Sequence, residues 1–235
     1  MKKLSYKIIF QVLCIGISMS FAVCASAQLV PFKSNYVAYY KGKDVGKASL
    51  ELSALSMRRY ELKYHSSVSK FFLSDRRYET SVFELNDEAL VPVSYHYRRE
   101  GTGSNKDLKL QFDQTNDMII IDDSESFEWD NELDNQLFRV DLSQRLAKGE
   151  REFSYDFINY RGQKRSYIFE VLNTENLSLP YGQIEALKVK IDRDSNRRLT
   201  YAWFSPELDY SLVRLQQFKD GKEQGDIKLA EYSRQ

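Results

Sequence analysis

Apolar and polar residues alternate with a period of two along most of the chain, and this pattern limits the fold more than any other feature. Tyr60, Leu62, Tyr64 and Val68 lie on one side of a run whose other side is Glu61, Lys63, His65 and Ser67. Val91, Val93, Tyr95 and Tyr97 alternate with Pro92, Ser94, His96 and Arg98, and Leu108, Leu110 and Phe112 with Asp107, Lys109 and Gln111. The pattern returns at Phe153, Tyr155 and Phe157, at Tyr167, Phe169 and Val171, at Leu187, Val189 and Ile191, and at Leu199, Tyr201 and Trp203. Successive side chains of a strand point to opposite faces, so each run buries one face and wets the other. Turn-forming residues separate the runs: Gly42-Lys43-Asp44, Asn86-Asp87-Glu88, Arg161-Gly162, Asp194-Ser195-Asn196 and Asp220-Gly221. Short turns predict antiparallel hairpins, because parallel strands need long crossovers.

One segment departs from the alternation. Apolar residues at 133, 137, 140, 142 and 146 approach a helical stripe, and Lys148-Gly149 offers a basic last turn and a stop. The expected fold is therefore mainly β: an antiparallel, strongly curved sheet or half-barrel with one short helix between two groups of strands. No Pro-, Ser- or Gly-rich linker divides the chain, so residues 28–235 are read as a single β-rich domain.

Residues 1–27 read as a signal peptide. Lys2, Lys3 and Lys7 precede an uncharged, mostly apolar run from Ile8 to Val23, and Ala25-Ser26-Ala27 is the small-x-small pattern of a cleavage site. Cleavage is expected between Ala27 and Gln28. The alternative is an uncleaved inner-membrane anchor, the apolar run being just short of the ~20 residues that span a bilayer. Neither cysteine follows a small residue as lipid attachment requires, Cys14 following Leu13 and Cys24 following Val23. Cleavage would remove both, leaving 208 of 235 residues without a thiol, in a compartment where disulfides would be permitted. The expected location is the periplasm, with no membrane span in the mature chain. Without the three signal lysines, 31 basic side chains face 34 acidic ones, a net charge near −3. That balance argues against a nucleic-acid binder, which carries a basic domain or stripe.

Catalytic signatures are sparse. The chain has no GxSxG, P-loop, GxGxxG, HExxH or CxxC pattern, and its two histidines, His65 and His96, sit on the polar sides of their strands. No cofactor is implied. The stretch DDSESFEWDNELD, Asp122 to Asp134, holds seven carboxylates in thirteen residues, and Asp130, Glu132 and Asp134 alternate as calcium ligands would. It lacks the central glycine of an EF-hand loop, and a solvated loop pinned by Phe127 and Trp129 explains it equally. The aromatic residues, 16 Tyr and 14 Phe, belong first to a core. Where a curved sheet opens they would line a groove, and Tyr95, Tyr97, Tyr201 and Trp203 are the candidate ligand-binding residues.

The order of several segments is similar to a known family. YVAYYKGKDVGKASLEL (Tyr36 to Leu52), RYETSVFELNDEALVPVSYHYRRE (Arg77 to Glu100), LQFD (Leu110 to Asp113), LDNQLFRVDLSQRLAKGE (Leu133 to Glu150), LPYGQIEALKVK (Leu179 to Lys190) and TYAWFSPELDYSLVRLQ (Thr200 to Gln216) follow one another as in that family. Together they resemble the bacterial exported family designated domain of unknown function 3108. The resemblance implies an envelope location and an antiparallel β fold, loosely like periplasmic lipoprotein carriers, and assigns no catalytic residue. The matched residues also have plain structural readings: Gly42 and Gly46 for a tight hairpin, Pro92 for an edge or bulge, Pro180-Tyr181-Gly182 for a turn.

The expected function is non-enzymatic binding of an apolar or amphipathic envelope component, such as a lipid. The alternatives are an envelope-assembly factor that captures a protein partner through a strand edge, and a glycan hydrolase using paired carboxylates.

Overall fold

The computed structural model describes residues 28–70, 72–193 and 197–235. The expected signal peptide and the expected Asp194–Asn196 turn lie outside these residues. The first half of the chain forms β1 (Phe32–Tyr40), β2 (Lys43–Ala54), β3 (Arg59–Lys70), β4 (Leu73–Asn86), β5 (Ala89–Gly101), β6 (Lys106–Asp113), β7 (Met118–Ile121) and β8 (Glu125–Glu128). A two-residue strand, β9 (Leu133–Asp134), leads into the helix α1 (Phe138–Ala147). The second half adds β10 (Glu152–Ile158), β11 (Lys164–Leu179), β12 (Gly182–Asp192), β13 (Arg198–Ser205), β14 (Ser211–Lys219) and β15 (Lys222–Arg234), with a 3₁₀ turn at Pro206–Leu208.

All fifteen strands belong to one sheet, in the order β8-β7-β6-β5-β4-β3-β2-β1-β15-β14-β13-β12-β11-β10-β9. The chain winds outward from β1 to one edge, crosses through α1, and winds back to place β15 beside β1. Every ladder is antiparallel except the short β9–β10 bridge. The mainly β, antiparallel, curved architecture with one short helix is as the alternation predicts.

The two flanks meet by side-chain packing instead of strand pairing. Ser81 on β4 donates to Asp134 on β9 at 2.8 Å, and Asn135 donates to Glu79 on β4 at 2.7 Å. Ile158 at the end of β10 joins Tyr95, Tyr97, Leu108, Leu110, Phe112 and Ile119 in one buried cluster. The sheet therefore curls into an incompletely hydrogen-bonded barrel, and α1 lies inside it. Leu137 and Val140 pack with Tyr36, Leu52, Tyr60, Leu62 and Phe83 of the first half. Phe138, Leu142 and Leu146 pack with Phe153, Tyr155, Phe157, Phe169 and Phe204 of the second. A helix held between two walls buries both sides, which is why its apolar stripe is broad and poorly defined in sequence.

Three local expectations shift. The helical stripe starts at Leu133, but Leu133 and Asp134 pair with Phe157 and Ile158, and the helix begins at Phe138. The first hairpin turns at Lys41-Gly42, with Lys43 already in β2; both turn residues take positive φ, 51° and 75°. On β5, a bulge opposite Val82 and Phe83 places Pro92 opposite Phe83 and Ser94 opposite Val82. The extra residue, Val93, reverses the alternation, so Leu90 and Pro92 face the core before it and Tyr95 and Tyr97 after it. Pro92 costs no ladder bond towards β6, whose pairing begins only at Ser94.

Candidate functional site

The curled sheet leaves a hollow of about 600 Å³ at one mouth of the barrel, where β11, β13 and β15 begin and β12 and β14 end. Tyr36, Leu50 and Tyr64 from β1–β3, with Tyr97 from β5, form one wall. Phe157, Tyr167, Thr200, Leu215 and Ile227 form the other, and Asn135, Gln136, Phe138 and Arg139 around the start of α1 close the inner end. The Tyr36 hydroxyl donates to the Leu212 carbonyl at 2.8 Å, tying β1 to β14 across the interior. Burial pushes the Tyr36 and Tyr64 hydroxyls above the usual tyrosine range, so both stay protonated.

The charge of this hollow is one-sided. Arg77, Arg139, Arg161, Arg165, Arg193, Arg198 and Lys219 line it, against a single carboxylate among the described residues, Glu79. Glu79 is buried and already accepts the Tyr95 hydroxyl at 2.5 Å and the Asn135 amide at 2.7 Å. Arg77 is neutralised by Asp75, at 2.7 Å. Burial pushes the Asp75 carboxyl up, but bonds from Arg99 and Arg77 hold it below its ordinary value. Arg139 instead bonds the Gln136 side chain and lies 5.9 Å from the Tyr64 ring and 5.2 Å from Phe138. Arg193 lies 5.3 Å from the Tyr167 ring, and its Nε is buried with no hydrogen-bond partner among the described residues. Desolvation, with Arg198 and Arg139 as nearby like charges, pulls the Arg193 guanidinium below its usual value.

Two more chambers adjoin. One of about 570 Å³ shares Tyr64, Arg77, Gln217 and Ile227 with the hollow and adds Ala38, Val45, Ala48, Val68 and Leu73. Another, of about 320 Å³, shares Leu50, Arg139 and Leu212 and runs between α1 and the segment at Leu29–Phe32, lined by Leu52, Leu62, Val140 and Phe204. A cationic chamber thus adjoins two of more apolar lining and shares wall residues with each.

Of the aromatic candidates, Tyr97 lines the hollow. Tyr95 is buried between the sheet and β9, its hydroxyl held by Glu79. Tyr201 and Trp203 alternate with Thr200, a lining residue, and so face the opposite side of β13. Trp203 is 2% exposed, donates its indole N–H to Glu175 at 2.8 Å, and lies between Lys188 and Arg214. The calcium candidates separate: Asp134 points to Ser81, while Glu132 pairs with Lys164 and accepts the Asp130 backbone N–H at 2.7 Å. Among the described residues no three His, Cys, Asp or Glu side chains converge as metal ligands would. His65 stacks on Tyr78 and His96 approaches Asp107 at 3.1 Å, and neither lines the hollow.

The cations of the hollow were not among the sequence candidates, although the alternation marks them. Arg193 continues the core-facing series Val189, Ile191, and Arg165 precedes Tyr167 and Phe169 in theirs. Arg77 precedes Glu79, Ser81 and Phe83, and Arg198 precedes Thr200 and Ala202. A charged residue on the buried side of a strand is the signal.

Residues 35–228, most of the chain, match the profile of the family described as protein of unknown function, DUF3108. The chain belongs to the DUF3108 family. No curated protein matches this DUF3108 member. Among solved structures, it is similar to a beta-barrel-like protein of domain of unknown function DUF1849 from Brucella abortus, with a TM-score of 0.62 at 7% identity, over 89% of this chain and 99% of that one. It also matches a putative exported protein with a YmcC-like fold from Bacteroides fragilis, with a TM-score of 0.35 at 12% identity, over 88% and 97% of the two chains. At such identity the Brucella likeness speaks to the fold alone. Among the described residues, no helix of this DUF3108 protein is long and apolar enough to cross a membrane.

Proposed function

We propose that this DUF3108 protein is an exported, periplasmic and non-enzymatic binding protein that holds an amphipathic envelope component inside its curled sheet. The observation that carries this reading is the hollow of about 600 Å³, within the size range of small-molecule sites, which shares wall residues with two chambers of more apolar lining. Aromatic side chains and aliphatic ends supply the contact area, and the basic residues supply orientation. The signal-like N-terminus and the family resemblance support the location. An enzymatic reading has less to stand on, because Glu79 is the sole carboxylate of the hollow among the described residues and its Oε2 already accepts two hydrogen bonds. A strand-capturing role is also less favoured: the β8 edge spans only four residues and carries Glu125 and Glu128, the short, charged form that discourages further pairing.

The test is mass spectrometry of protein purified from its native envelope without detergent exchange, under native and then denaturing conditions. A small molecule retained only in the native spectrum, and extractable into organic solvent, is the expected result. The denatured mass should match a chain beginning at Gln28. A bare polypeptide that also fails to take up short-chain lipids offered in solution would overturn the proposal.

A further inference from the structure

Five cations stand at inward-facing positions of one mouth of the barrel: Arg77, Arg165, Arg193, Arg198 and Lys219. The neighbouring strands β11–β14 place the last four side by side. Arg198 and Lys219 are direct partners across β13–β14, and Arg193 lies over Tyr167 at the adjoining end of β11–β12. Arg139 reaches the same space from α1. Arg77 has its own carboxylate in Asp75; among the described residues none pairs with Arg139, Arg193 or Arg198.

Charges placed on the inner side of a sheet lose hydration, and bringing three guanidinium groups together adds repulsion. A surface arginine avoids both penalties by turning outward. Here strand alternation turns these residues inward, and the one lining carboxylate among the described residues accepts hydrogen bonds from Tyr95 and Asn135. Among the described residues nothing compensates the cluster, so an anion that enters the hollow finds guanidinium groups facing it, with the Arg193 Nε already desolvated. We propose that Arg139, Arg193 and Arg198 form a binding site for a phosphoryl group of the ligand, within the cationic hollow. Guanidinium forks match phosphate oxygens bidentately. A phosphoryl group brings up to two negative charges and three acceptor oxygens, enough to engage several guanidiniums at once, whereas a lone carboxylate brings one charge. The buried Nε of Arg193, without a partner, is the donor such an oxygen would satisfy.

This inference rests on the binding reading above and specifies its ligand class as a phosphate-bearing amphiphile. The experiment is isothermal titration calorimetry of the purified protein with three probes: a short-chain phosphatidic acid below its micelle concentration, the diacylglycerol of the same chains, and inorganic phosphate. The parent protein is compared with Arg193→Gln/Arg198→Gln and with the charge reversal Arg198→Glu. Phosphatidic acid should bind at least tenfold more tightly than diacylglycerol, and both variants should lose that preference while keeping their diacylglycerol affinity. Thermal melts monitor folding. Arg193→Gln should melt no lower than the parent, because it removes a charge held among like charges, and Arg198→Glu changes an exposed side chain. Equal affinity for the two lipids would overturn the phosphoryl site and leave the amphiphile reading standing. Inorganic phosphate binding as tightly as phosphatidic acid, with the same loss in the variants, would support the phosphoryl site and overturn the amphiphile reading. Failure of all three probes would overturn both.

Discussion

Asp134 permits a test of how the helix is held inside the barrel. It is fully buried, and its Oδ1 accepts the Ser81 hydroxyl at 2.8 Å and the backbone N–H groups of Gln136 and Leu137 at 2.8 and 2.9 Å. It thereby caps the turn that leads into α1 and ties that turn to β4. Oδ2 has no hydrogen-bond partner among the described residues. Burial outweighs the three donors, the nearby Glu79 charge acts in the same direction, and the carboxyl is pushed up from 3.8 to about 6. The folded protein therefore holds the Asp134 proton more tightly than the unfolded chain does between pH 3.8 and 6. The stabilisation from this proton is fully present below pH 3.8, declines as pH rises through that window, and is lost above about 6. Across the window the loss is about 3 kcal/mol.

Asp134→Asn keeps the Oδ1 acceptor and removes the charge, so its stability should not fall in this way. Its amide replaces Oδ2 with an unpartnered donor, costing about 1 kcal/mol at every pH. The variant should thus be slightly less stable than the parent at pH 4 and about 2 kcal/mol more stable at pH 7.5. Asp134→Ala removes the acceptor, leaves two backbone donors and Ser81 unpaired, and should lose roughly 1–3 kcal/mol at pH 4. Urea unfolding followed by circular dichroism at pH 4, 5, 6 and 7.5 measures all three proteins. Glu51, Asp75, Glu132 and Glu175, whose carboxyls lie below their ordinary values, gain stability as pH rises, but they are common to all three and cancel in the difference. Parallel pH profiles for the parent and Asp134→Asn would refute the reasoning.

Three further outcomes follow from the packing. Phe169, fully buried between Phe138, Phe153 and Tyr155, should cost about 3–5 kcal/mol on truncation to Ala, read as a lowered urea midpoint with an unchanged slope. A Cβ on Gly46 would sit 2.1 Å from the Ser67 carbonyl oxygen at φ +150°, whereas one on Gly42 meets nothing within 4 Å at φ +75°. Gly46→Ala should therefore lower the melting temperature well beyond the roughly 1 kcal/mol cost expected at Gly42, and equal melts would contradict that ordering. Tyr95→Phe removes one of the two donors holding the buried Glu79, for about 1–3 kcal/mol in chemical denaturation, with its ring packing retained.

Most of the fold is visible in the alternation because a strand's preference is local and repeats every two residues. Tyr60 and Leu62, or Leu108 and Leu110, declare their buried side without reference to any partner strand. The departures occur where a distant partner decides. Val93 bulges because of its pairing with β4, which the sequence around it does not encode. Leu133 and Asp134 leave the helical stripe because Phe157 and Ile158, over twenty residues away, offer a ladder. Trp203 looks like a groove residue because aromatics line grooves, yet the β11–β12 hairpin turns back until the Tyr181 N–H meets the Leu229 carbonyl at 3.0 Å. Its indole is buried beside Glu175 and Lys188 as a result.

Net charge hides the site for a related reason. A balance near −3 describes residues 28–235 as a whole and is blind to which side of the sheet each charge occupies. Acids dominate the Asp122–Asp134 stretch outside the hollow, and cations dominate the hollow itself, so the two cancel in any composition while remaining segregated in space. The informative reading assigns each charge to a face before counting it. On that basis Arg165, Arg193, Arg198 and Lys219 each occupy the side of a strand that elsewhere holds Phe169, Ile191, Ala202 and Leu215. A core-facing position that changes from apolar to cationic at the same end of four adjacent strands marks where the core stops and a charged chamber begins. The alternation shows where each strand makes that change; only the sheet order, which sets these strands side by side, shows that the four changes meet in one place.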